Sequence, residues 1–293
     1  MIRSKTVGST IADILIIVVL AFVIVVTLYP LYYITIISIS DGMSVMRGEV
    51  TLWPKGITFD SYKVIMRNDD IFRSFFNTVV YTVAGTAINL AMSCLCAYPL
   101  SRKGFTGRNF FTKMIVVTMF ISGGMIPSYL LINSLNMLDT IWAIILPGAI
   151  NTYNMIIIRT TFQALPESLI ESAKIDGAND FYILWKIVLP LSKAVLATMV
   201  LFYAVGHWNN YFSALLYIET KAKYPLQIIL RNIVVAGMFS EESGMMGSAS
   251  AFRVTEMTLR YAVIVFATIP ILFVYPFVQK YFVKGVMIGS LKE

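Results

Sequence analysis

The sequence predicts an all-α integral membrane protein with six transmembrane helices, and three observations carry that prediction. Of the 293 residues, 58% are hydrophobic and 13% charged, about half the charge of an ordinary soluble domain. Apolar runs free of Asp, Glu, Lys and Arg recur along the chain, each long enough to cross a hydrocarbon core about 30 Å thick. Lys and Arg gather in short loops between these runs, which orients the chain by the positive-inside rule. Residues 1–293 read as one transmembrane domain with no soluble domain and no internal repeat.

The first span is 14–37, preceded by Arg3 and Lys5; it is too long for a cleaved signal and lacks a small-x-small site, and Pro30 is expected to kink or end its regular part. Residues 41–73 are a mixed-charge loop in which Phe59, Tyr62, Ile65 and Met66 recur at helical spacing, predicting a short interfacial helix. The second span, 76–100, carries Asn77 and Asn89, amides expected to face other helices rather than lipid. Arg102, Lys103, Arg108 and Lys113 then form a purely basic loop, the clearest cytoplasmic signal. The third span is 114–132, broken near Gly123, Gly124 and Pro127; the fourth is 141–158, with Pro147 and Gly148 at its middle. The fifth is 194–218, a long polar outer segment covers 219–260, and the sixth is 261–277 before a basic tail. Both termini are thereby expected in the cytoplasm. The net charge of +7 belongs to this loop bias, so no nucleic-acid partner is expected. Cys94 and Cys96 stand two apart in an apolar run and read as inert packing thiols.

The cytoplasmic loop 159–193 is the most polar stretch between spans and the one around which the chain is organised. Pro166 suits the start of a helix, where its missing N–H is not needed. Gly177 suits a left-handed close. Asn179 or Asp180 can cap a second helix, whose Phe181, Leu184, Trp185 and Val188 share one face at α-helical spacing. A charged hairpin with a greasy face is an odd loop between spans unless something docks on it.

This loop resembles the E-A-A, three residues, G, nine residues, I-x-L-P signature of importer permeases of the ABC class. Glu171, Ser172, Ala173, Gly177, Ile187, Leu189 and Pro190 fit that spacing, with Ser172 in place of an alanine. The resemblance implies a six-span type I importer permease core whose coupling helix, including Asp176, fits a cleft on an ATP-hydrolysing subunit. It also implies the partners: a second homologous permease, two ATP-binding cassette subunits and an extracytoplasmic sugar-binding protein, in the cytoplasmic membrane. No cofactor is expected in this chain; ATP and Mg would sit on the ATPase subunits.

The chemistry missing from the sequence agrees. There is no Gly-Lys dipeptide, hence no P-loop, and no G-x-S-x-G elbow. The single histidine, His207, excludes a two-histidine zinc site, so the chain is not expected to be an enzyme. A self-sufficient secondary transporter or channel is the alternative, but no Asp, Glu, Lys or Arg stands within any expected span, and His207, the one group there able to relay a proton, reads as a packed, hydrogen-bonded histidine near a span end.

Two further stretches, His207 to Phe212 and Tyr224-Pro-Leu-Gln through Leu230-Arg231, resemble the carbohydrate importers, in the form associated with oligosaccharides and polysaccharide fragments. Sugars need aromatic faces for their C–H surfaces and polar groups for their hydroxyls. Trp208, Asn209, Asn210 and Tyr211 offer both, as do Asn151, Tyr153 and Asn154, and these are the candidate substrate-path residues. The uncharged spans suggest a largely uncharged ligand. Ser243 to Ala251, rich in small residues, resembles the loop that in sugar importers reaches into the binding protein.

Overall fold

A computed structural model of the chain describes residues 7–236 and 255–290, with side chains described for 8–235 and 255–276. The expected loop 243–251 lies outside the described residues. Every regular element among them is helical: α1 Val7–Ser38, α2 Gly42–Met46, α3 Asp60–Arg67, α4 Asp69–Ser101, α5 Arg108–Val117, α6 Met125–Ser134, α7 Ile141–Ile145, α8 Thr152–Gln163, α9 Glu167–Ile175, α10 Asp180–Ile183, α11 Leu189–Leu191, α12 Lys193–Trp208, α13 Phe212–Tyr217, α14 Leu226–Ala236 and α15 Glu256–Ser290.

By length and composition, three helices can cross a membrane alone: α1, α4 and α15 through Pro276. Two bent pairs raise the number to as many as five: Ile141–Gly148 with α8, at 52°, and Asp180–Leu191 with α12, at 86°. The expected first, second, fourth and sixth spans therefore correspond to helical segments. The third is divided, as its glycines suggest, into α5 and α6 with residues 118–124 between them.

Several boundaries differ from the sequence expectation. The helix α1 runs through Pro30 to Ser38 without ending. The second long helix begins at Asp69, so the mixed-charge loop is shorter than 41–73. Ile65 is buried on α3, while Phe59 and Met66 are exposed. The expected fifth span is not one helix: it stops at Trp208 and resumes as α13, because Asn209 closes α12 and the Asn210 side chain accepts from the Ser213 N–H at 3.2 Å. The segment 219–260 is not uniformly polar, since α14 is an apolar helix whose Leu226 and Ile228 are buried.

Two compact units are present. In the unit formed by 1–69 and 230–268, Ile36, Ile37, Val45 and Val50 make a small core with Tyr33 and Tyr261 beside it. Asp41 caps α2 by accepting from Met43 and Ser44 N–H groups, and its own N–H donates to Lys55 O at 2.9 Å. In the unit formed by 70–229 and 269–293, the main core joins α4, α8, α9, α10 and α12 through residues such as Ala97, Ile158, Phe162, Ile183 and Met199. On this unit the chain between α6 and α7 is tied to residues 217–224. Asp139, at φ 55°, accepts from the Glu219 and Thr220 N–H groups, the Thr220 hydroxyl and Lys223. The Lys223 ammonium and then the Thr220 donors hold the Asp139 carboxyl well below the usual carboxylate range.

Candidate functional site

The hairpin 167–191 is built by local capping. Pro166 stands in extended conformation just before α9, where no intrahelical N–H is required. At the other end Gly177 takes φ 81°. The Ala178 N–H reaches Ala173 O at 2.9 Å and the Gly177 N–H reaches Lys174 O at 3.0 Å, the paired bonds of a Schellman close. Asn179 then caps α10, accepting from the Tyr182 N–H at 2.8 Å. A π-helical turn, Leu184–Val188, joins α10 to α11, and the chain bends 86° at Ser192 into α12.

That wider turn corrects the expected apolar face. Leu184, Val188 and Ser192 are buried at intervals of four, a spacing that stays on one side when the turn holds more than 3.6 residues. Ile183 fills the core beside them. Phe181 and Trp185, expected to share the face of Leu184 and Val188, are instead 71% and 70% exposed, and Ile175 is 86% exposed. Of the other motif residues, Ala173, Ile187 and Leu189 pack against the core. Glu171, Ser172, Asp176, Gly177 and Pro190 face outward. The Glu171 carboxylate has no hydrogen bond or ion pair among the described residues, whereas the Ser172 hydroxyl donates to Ser168 O. The hairpin thus presents an unpaired carboxylate and three open apolar side chains on a charged loop.

Its root is tied to the end of α4. The Tyr98 hydroxyl donates to Asp180 at 3.0 Å, and Lys174 stands 3.5 Å from the same carboxylate. Arg102 lies over the Tyr98 ring and donates to Phe162 O at 2.8 Å; Lys103 pairs with Glu167. Burial pulls the Arg102 guanidinium down from its ordinary value, opposed by Tyr98, Glu167 and Asp180. These groups line a cleft of about 560 Å³ together with Glu171 and Phe181.

The expected substrate-path residues occupy two helix junctions. Asn151 caps α8 by accepting from the Asn154 N–H at 3.1 Å; Asn154 is buried and Tyr153 exposed. At the end of α12, the Asn209 amide donates to Val205 O at 3.0 Å. Tyr211 is exposed, with its ring edge-on to Phe212. Trp208 is only 6% exposed and meets Phe75 in a T-shaped contact at 5.8 Å. Truncating a buried tryptophan costs roughly 3–5 kcal/mol. Trp208→Ala is therefore expected to lower the melting temperature of the purified assembly by several degrees, while Asn209→Ala leaves it unchanged. Scanning fluorimetry of the two variants checks this; equal melting temperatures would contradict the packing role of Trp208.

The structure joins two polar residues that the sequence marked separately. His207 Nε2 stands 2.6 Å from Asn89 Oδ1, and the Asn89 amide donates to Gly148 O, freed by the break between α7 and α8. The His207 ring lies on Gly85, where an added Cβ would overlap it. One step along the same helices, Ser93 and Tyr203 share a hydrogen bond of 2.7 Å. Asn89 and His207 each carried a signal as a polar residue within a span; their pairing across 118 residues, and the carbonyl of Gly148 59 residues from Asn89, did not.

With this arrangement in view, the comparisons are decisive. The profile of the binding-protein-dependent transport system inner membrane component family matches residues 89–288, which include the whole hairpin. The chain belongs to that family. As a member it is similar to Protein LplC of Bacillus subtilis (strain 168), 45% identical over 91% of this chain and 90% of that protein. It is 47% identical to the polygalacturonan/rhamnogalacturonan transport system permease protein YtcP of the same organism, over 90% of this chain and 92% of the relative. Among solved structures it resembles a chain of a bacterial ABC transporter involved in the import of the acidic polysaccharide alginate. The TM-score is 0.87 and the identity 35%, covering 96% of this chain and 99% of that one. The family match and this structural likeness give the chain the all-α type I importer permease fold, and place it among transport permeases, not enzymes.

Proposed function

We propose that this chain is one permease subunit of an ATP-driven ABC importer that moves an oligosaccharide across the cytoplasmic membrane by alternating access. The observation that carries the reading is the hairpin 167–191. It sets Glu171, Ile175, Phe181 and Trp185 open on a loop whose root is fixed to α4, as a docking element for a separate ATPase requires. A second homologous permease, two ATP-binding cassette subunits holding ATP and Mg, and an extracytoplasmic binding protein complete the assembly; the family's binding-protein dependence supports the last. YtcP and the alginate transporter are both described by acidic polysaccharides, so the cargo is read as a uronate-containing fragment. This replaces the uncharged ligand suggested by the spans alone: a carboxylate that stays hydrated in an aqueous path needs no buried countercharge.

The carboxylate of Glu171 can accept charge-assisted bonds from a cation of the ATPase, and leaving such a cation unpaired in a desolvated dock costs about 2–5 kcal/mol. Glu171→Ala is expected to lower ATP-dependent uptake of a galacturonate trisaccharide at least tenfold and to weaken co-purification of the ATPase, with oligosaccharide capture by the binding protein unchanged. Normal uptake with the ATPase still bound would refute the docking role.

The six-span topology, with both termini and the loop 101–113 in the cytoplasm, belongs to the same reading. Position 107 is a poor labelling site, since Gly107 has φ 82° and a Cβ there would press on Phe111. Gly104 has open space around it. A cysteine at 104 is expected to resist an impermeant thiol reagent applied to intact cells; labelling would overturn the topology.

A further inference from the structure

The backbone between α5 and α6 is open. Among the described residues, the N–H groups of Ser122, Gly123 and Gly124 donate to no acceptor, and the carbonyls from Thr118 to Gly123 accept from no donor. On the topology proposed above, with the loop 101–113 at the cytoplasmic face, this stretch falls well inside the bilayer. From Arg108 to the end of α5 is about 15 Å, and from Arg159 back to Thr152 about 10 Å, against a hydrocarbon core about 30 Å thick. The hydroxyls of Thr118 and Thr152 stand 3.3 Å apart, so the break between α5 and α6 adjoins the break that precedes α8. Two interrupted spans meet there. Around the break the chain is open: Phe120 is 82% exposed, and nothing lies within 4 Å of a Cβ built on Gly123.

Hydrocarbon cannot cover this surface. Each unpaired peptide group in lipid costs several kcal/mol, so irregular backbone at membrane depth survives only where it is buried in protein or lines water. Met119, Phe120 and Ile121 are large, apolar and exposed, so the case for water rests on the open backbone and its small neighbours. Thr118 and Ser122 are small and hydroxylated, the glycines leave the peptide groups bare, and Phe120 offers an open ring. Bare donors and acceptors beside an aromatic face are what a sugar ring needs. We propose that residues 118–124 line the aqueous path and bind the passing oligosaccharide through their backbone N–H and C=O groups, with Phe120 against a sugar face. The carbohydrate part of this inference rests on the function proposed above.

The test uses the assembled transporter in membrane vesicles, with Cys94→Ala and Cys96→Ala as background. Ser122→Cys is expected to react with a charged methanethiosulfonate, and a galacturonate trisaccharide delivered by the binding protein should slow the reaction severalfold. Gly123→Trp, whose Cβ would meet no atom within 4 Å in this chain, should cut uptake at least tenfold while melting temperature and co-purification of the second permease and ATPase stay unchanged. An unreactive Ser122→Cys would overturn the proposal, because lipid or protein would then cover the break. Loss of the second permease from Gly123→Trp would overturn it in favour of a subunit interface, and normal uptake by that variant would overturn it outright. If the parent takes up no carbohydrate while Ser122→Cys still reacts, the carbohydrate reading fails and the aqueous path stands.

Discussion

Gly177→Val is expected to abolish ATP-driven uptake while the protein still inserts at normal levels. Gly177 closes α9 at φ 81°, a conformation costing an L-residue about 1–2 kcal/mol and a β-branched one more. No atom lies within 4 Å of a Cβ built there, so the penalty is purely one of backbone conformation. Relieving it requires giving up the bonds from Ala178 and Gly177 to Ala173 and Lys174, which set the angle between α9 and α10. Glu171 and Ile175 would then turn relative to Phe181 and Trp185, and the docking surface would no longer match a rigid cleft. Gly177→Asn separates this cause from any other, because asparagine tolerates the left-handed region and should keep much of the uptake. Uptake and ATPase co-purification, measured on both variants, decide the matter. A fully active Gly177→Val would mean that the hairpin angle does not matter.

The second large effect lies within the helices. Gly85→Val should prevent a stable transporter from accumulating, and even Gly85→Ala should lower its melting temperature by about 5 °C or more. A Cβ at 85 overlaps the His207 ring, and the ring cannot retreat without losing its 2.6 Å contact with Asn89. Overpacking of this kind costs about 1–3 kcal/mol, and an amide left unpaired inside the bilayer adds to it. Adding His207→Ala to Gly85→Ala removes the obstacle and should recover part of the loss, though not the Asn89 bond. Thermal scanning of the purified single and double variants is the measurement. A Gly85→Ala protein as stable as the parent would show that α4 and α12 can separate freely at this level.

These two glycines divide what was legible from what was not. Gly177 announced its role, since glycine between an acid-rich helix and an Asn-Asp pair leaves few readings, and the caps at Pro166 and Asn179 were equally plain. The bonds involved join residues at most five positions apart, so composition and spacing contain them. Gly85 gave no such signal in an apolar run rich in small residues.

What the sequence alone determined is what local chemistry and bulk transfer govern: apolar helical segments, the break at Gly123 and Gly124, and the closed hairpin. Tertiary structure decided the rest. Trp208, read as a candidate sugar platform, is buried against Phe75, 133 positions earlier. Phe181 and Trp185 were expected to share one face with Leu184 and Val188, but the fold buries the second pair and leaves the first exposed. The apolar helix α14 was hidden among the charges flanking it. In each case one side chain had two chemically acceptable surroundings. Contacts with residues far away in the chain, or a small change of helical pitch that they stabilise, selected between them, and neither leaves a trace in periodicity.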